Sequence, residues 1–101
     1  MTGYDGAVIG DSRAVRVGGP PLPDGTPDDV SCERSTDSLA AEVGHLLPAR
    51  VLNLACPSAT VTSGLRGPQD RAGRLLPAQV GLLKQVQDLR FVVVASDPNA
   101  P

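Results

Sequence analysis

The chain has 101 residues, a formal charge of -2 and 41% apolar residues, enough for one small domain with a modest core. Its nine basic residues are outnumbered by eleven acids, and Tyr4 and Phe91 are its only aromatic residues. This composition excludes a strongly basic nucleic-acid surface, a base-stacking platform and, with no apolar run near 18 residues, a membrane-spanning helix.

Residues 7–9, Ala-Val-Ile, predict a short buried strand that runs straight into Gly10-Asp11-Ser12. Asp11-Ser12 has two readings there, a helix cap or a nucleophile at the end of a strand. Residues 17–34 contain four Pro and three Gly and predict irregular loop. Residues 38–47 place Leu39, Val43, Leu46 and Leu47 on one helical face. Asp37 or Ser38 can cap that helix, and Pro48 ends it. Residues 51–55 predict a second strand, and residues 57–75 a second loop. Pro77 suits the first turn of a helix that turns Val80, Leu83 and Val86 inward. Residues 91–95, Phe-Val-Val-Val-Ala, predict a third strand, whose unbroken apolar run suggests cover on both faces.

Strands alternating with helices imply an α/β fold with right-handed crossovers and a parallel sheet. Sites in such folds gather beyond the carboxyl ends of the strands. Three polar segments follow the three strands: Gly10-Asp11-Ser12, Cys56 to Thr60, and Ser96 to Asn99. Cys32 and Cys56 are too few for a paired zinc site, and fit either one disulfide or two thiols according to the compartment. Arg66, Arg71 and Arg74 lie among three glycines and read as a solvated loop with some capacity for an anion. They lack the Gly-Lys-Ser/Thr of a phosphate-binding loop, and no Gly-x-Gly-x-x-Gly follows a strand, so no cofactor or metal is expected. The N-terminal Met-Thr-Gly-Tyr-Asp-Gly lacks a charged region and an apolar region, so the chain as given is expected to be cytoplasmic, without a signal peptide.

Taken together, Val-Ile-Gly-Asp-Ser-Arg-Ala resembles the first block of the SGNH or GDSL serine hydrolases. Cys-Glu-Arg-Ser (32–35) with its following helix, and Ala-Cys-Pro-Ser-Ala-Thr (55–60), are similar to stretches of secreted actinobacterial members. Residues 76–100 resemble the helix and strand that lead into a third block, Gly-x-Asn-Asp. The resemblance implies the N-terminal part of a three-layer, flavodoxin-like domain over residues 1–101, with the 7–9 strand between the other two. It implies Ser12 as nucleophile, with oxyanion donors from the Ser12 backbone, from position 58 and from the Asn99 side chain. It also implies a Cys32–Cys56 disulfide, and a carboxylic ester as substrate.

This chain departs from the family at several points. Ser58 stands where the family has Gly, Asp97 stands at the block-three Gly, and Ala100 follows Asn99. The Asp-x-x-His segment that supplies the base is absent, and His45 matches no family position. The expectation is therefore a truncated esterase- or lipase-like chain with little or no turnover. The alternative is a non-catalytic α/β module that binds a partner through the same strand ends. Self-association through the open edge of the third strand is also expected.

Overall fold

The computed structural model describes residues 2–96, so Asp97, Asn99 and Ala100 lie outside the described residues. In chain order the elements are β1 (Gly6–Gly10), α1 (Ser12–Val15), α2 (Pro27–Ser31), α3 (Leu39–Leu46), β2 (Val51–Asn53), β3 (Gln69–Arg71), β4 (Arg74–Leu76), α4 (Gln79–Leu83) and β5 (Phe91–Ala95). β1 pairs in parallel with both β2 and β5, giving the order β2-β1-β5. This is a small α/β domain with a three-stranded parallel sheet, and the first strand is central as expected.

All five residues of β1 are buried, because the strand has a neighbour on each edge and cover on each face. Val8 packs on one face with Ala14 and Val15 of α1, Ala40 of α3, and Ala55. Alanine at three of these five positions lets the helices approach the sheet closely. Val8 and Val15 are fully buried, and each such side chain is worth roughly 1.5–3 kcal/mol. Ile9 faces the other way, against Leu54 and Leu65, with Val80, Leu82 and Leu83 at the margin. Cys32, Cys56 and Leu76 form a third cluster, in which the two cysteines are disulfide-bonded with a Cα–Cα distance of 4.6 Å.

Several expectations need correction. The α3 face was to include Leu46 and Leu47, but these are 79% and 58% exposed. The helix is held by its first turn, through Ala40 and the Ser38 cap on the Ala41 N–H, and its last turn passes beyond the apolar surface. The helix expected from Pro77 is only five residues long and begins after Ala78. Val86 is nonetheless buried, while Val80 and Leu83 are half-buried. β5 was expected to be covered on both faces, yet Val92 and Val94 are 43% and 60% exposed. They sit in register with Ala7 and Ile9, on the face where short α4 covers only the β1 and β2 side.

Both expected loops contain regular structure. Within 17–34, α2 starts at a reciprocal cap: Thr26 Oγ1 accepts from the Asp29 N–H, and the Asp29 carboxylate accepts from the Thr26 N–H. Within 57–75, β3 and β4 form an antiparallel hairpin with Ala72-Gly73 at its tip. Ala72 and Gly73 both have positive φ, 52° and 87°, as a two-residue hairpin turn of the primed kind requires. Arg71 and Arg74, read as solvated, anchor this hairpin to the α2 region. Arg71 donates to the Ser31 and Pro57 carbonyls and pairs with Glu33, while Arg74 pairs with Asp28.

Candidate active site

The turn after β1 follows from its three residues. Gly10 has φ 151°, and a Cβ there would collide with the Ala95 carbonyl oxygen. Only glycine lets β1 pass that close to β5 before turning. The Asp11 N–H then donates to that same Ala95 oxygen at 3.1 Å. Asp11, not Ser12, is the α1 cap: its buried carboxylate accepts from the Arg13 N–H at 3.0 Å. Ser12 is thereby left as the first residue of α1, with its side chain exposed.

Beyond β2, the chain passes through Cys56 and Pro57 to Ser58. The Cys56 N–H donates to the Gly10 carbonyl at 3.1 Å, which ties this segment to the turn carrying Ser12. Ser58 is exposed and has φ 66°, the left-handed conformation that glycine adopts most readily. Ser12 and Ser58 line one open depression of about 370 Å³, together with Asp11, Pro57 and Thr60. Among the described residues, no acceptor takes up the Ser12 or the Ser58 backbone N–H. The residues lining the depression therefore bring the hydroxyls of Ser12, Ser58 and Thr60 and two backbone N–H groups with no acceptor among the described residues, a set able to meet an oxygen that becomes anionic.

Asn99 lies outside the described residues; the other two expected site positions, Ser12 and Ser58, both line this depression. His45 sits in the last turn of α3, exposed, and does not line the depression. Among the described residues, no group that could act as a base is hydrogen-bonded to the Ser12 hydroxyl. No cluster of His, Cys, Asp and Glu suited to a metal occurs among them either.

Two side chains that carry the geometry lie in stretches that resemble the family but have no role in the sequence reading. Gln79 is buried; its Oε1 accepts from the Gly10 N–H at 2.8 Å, and its Nε2 donates to the Gly10 carbonyl at 3.0 Å. Its own N–H donates to the Gly64 carbonyl, so it joins α4 to the turn that positions Ser12. Arg34 is buried and donates to the carbonyls of Ala55 and Leu54, at 2.9 and 3.1 Å, just before Cys56. Its third bond, 2.9 Å to Asp29, supplies the buried guanidinium with a counter-charge. Burial alone would push the Asp29 carboxyl up. The bonds from Arg34 and from Thr26 outweigh it and hold the group below its usual range. A glutamine in a helical segment and an arginine in a loop normally read as solvent-facing, and no periodicity distinguishes these two.

Comparison with protein-family models, with curated proteins and with solved structures finds no match to this chain. No helix among the described residues is long and apolar enough to cross a membrane.

Proposed function

We propose that this chain carries the nucleophile end of an SGNH-type serine ester hydrolase, on the N-terminal portion of a flavodoxin-like fold. Ser12 Oγ attacks the carbonyl carbon of a carboxylic ester as its proton passes to a base. The carbonyl oxygen becomes anionic and is met by the backbone N–H groups of Ser12 and Ser58. Collapse of this intermediate breaks the bond to the alcohol oxygen, which leaves with a proton, and the acyl group stays on Ser12 until water removes it.

The observation that carries this reading is the pairing of Ser12 with two N–H groups that have no acceptor among the described residues, on residues lining one depression at the ends of adjacent parallel strands. Ser58 strengthens it. Serine stands where the resemblance implies glycine, yet it has the backbone conformation that a glycine would favour. An activated serine also needs a base, and among the described residues none is hydrogen-bonded to the Ser12 hydroxyl; the neighbouring Asp11 carboxylate accepts from the Arg13 N–H. The chain alone is therefore expected to turn over esters slower than a complete site by several orders of magnitude.

The test supplies the base from solution. The purified chain is treated with p-nitrophenyl acetate, with and without imidazole, and the acylated residue is located by mass spectrometry. Imidazole should raise acetylation at Ser12 above that at Ser58 and Ser63, which are also exposed. The acyl group should persist, because its removal needs a base as well. Equal labelling of the exposed serines, or none at Ser12, would refute the assignment.

A further inference from the structure

We infer that the groove beside Ser12 is built for a short acyl ester of a neutral, hydroxyl-rich alcohol, such as an O-acetylated sugar, and not for a long-chain lipid ester. This inference rests on Ser12 as the nucleophile.

Ser58 forms a wall common to two depressions. One holds Ser12, and the other, of about 530 Å³, is lined by Ser31, Ser63, Gln69, Asp70 and Arg71. That volume falls within the roughly 300–1,000 Å³ of small-molecule sites. Such sites are mostly apolar, whereas in this groove polar and apolar surface are about equal and no large apolar side chain takes part. Its only apolar walls are Pro57, Ala59 and Ala72.

A lipid acyl chain gains about 0.8 kcal/mol per methylene only where apolar surface receives it. The protein has exposed apolar side chains, but they lie elsewhere: Val92 and Val94 on β5, Val30 on α2, and Leu46 on α3. None lines either depression. A sugar hydroxyl both donates and accepts, and so do the hydroxyls of Ser31, Ser58 and Ser63. Asp70 adds an acceptor, with one of its oxygens already held by the Gly73 N–H.

Charge points the same way. Asp11 and Asp70 in the walls are balanced by Arg13 and Arg71. Arg71 is committed to the Ser31 carbonyl, the Pro57 carbonyl and Glu33, so its guanidinium is not poised to grip a phosphate headgroup. A neutral polar alcohol fits this groove better than an anionic lipid.

The experiment has two arms. In the first, imidazole-promoted acylation of Ser12 is compared for p-nitrophenyl acetate and octanoate below micellar concentration, each rate corrected for imidazole alone. Acetyl-Ser12 should form at least tenfold faster. In the second, an O-acetylated xylo-oligosaccharide is titrated into the 15N-labelled chain. The amide resonances of Ser31, Ser63 and Asp70 should shift, in Ser12→Ala as in the original chain. Ser63→Leu should reduce those shifts at least threefold, and Ser31→Ala serves as the second variant if the leucine disturbs the turn. Octanoylation as fast as acetylation, or no shift with the oligosaccharide, would overturn the inference while leaving Ser12 as nucleophile. Failure of both esters to label Ser12 would overturn the nucleophile itself.

Discussion

Gln79→Leu tests whether the turn carrying Ser12 is held from the opposite face of the sheet. Leucine keeps the approximate volume of glutamine, so the cavity contribution is small and the polar loss dominates. Two hydrogen bonds disappear, but unequally. The Gly10 carbonyl keeps the Cys56 N–H as a donor, so that loss is close to an ordinary net hydrogen bond, about 0.5–1.5 kcal/mol. The Gly10 N–H has Gln79 as its acceptor and lies in a fully buried strand end, so leaving it unpaired costs about 1–3 kcal/mol. Together the change should destabilise the fold by about 2–4 kcal/mol, lowering the melting temperature by more than about 8 °C for a domain of this size. Urea and thermal unfolding followed by circular dichroism would measure it. A cost under about 0.5 kcal/mol would refute the reasoning, because some other acceptor would then be serving Gly10.

Three further outcomes follow from the structure. Replacing Cys32 and Cys56 by alanine, or reducing the bond, opens a closure across 24 residues and should cost about 3 kcal/mol, read as a lower urea midpoint. Asp29→Asn should destabilise the chain near neutral pH by about 1 kcal/mol through the lost charge-assisted bond to Arg34. The folded carboxyl titrates below its unfolded value, so its contribution is present above about pH 4 and is lost as pH falls through the lower folded value; the gap between variant and original chain should close in acid. Ser58→Gly should be neutral or stabilising by up to about 1 kcal/mol, since glycine meets the left-handed conformation without strain, whereas Ser58→Val should cost more than about 1 kcal/mol in thermal unfolding.

The parallel sheet was legible in the sequence because its strands are short apolar runs separated by stretches too long for hairpins. The central place of β1 came from the family resemblance, and Gly10 shows its physical basis: a backbone bare enough to lie against Ala95. The hairpin at 69–76 escaped because its strands, Gln-Asp-Arg and Arg-Leu-Leu, neither alternate nor favour strand, and its tip is Ala-Gly where Asn-Gly would have been the signal. The α2 cap, Thr26-Pro27-Asp28-Asp29, was readable but was submerged in the prolines and glycines around it. At the site, Ser12 and Ser58 were visible through their motifs. Gln79 and Arg34 stood in stretches that resemble the family, but their roles were not legible, because these depend on backbone groups of Gly10, Leu54 and Ala55, far away in sequence.

The strand at the middle of the sheet is also the one nearest the start of the chain. Gly6 pairs with Val51 on one side and with Phe91 on the other, so neither ladder forms from local contacts. Both require closure of long loops before any pairing compensates the lost chain entropy. In synthesis β1 precedes both of its partners, and its β5 edge stays unpaired until residues 91–95 follow. Folding should thus be slow for so small a domain, and its vulnerable interval is the one in which the central strand has only one neighbour.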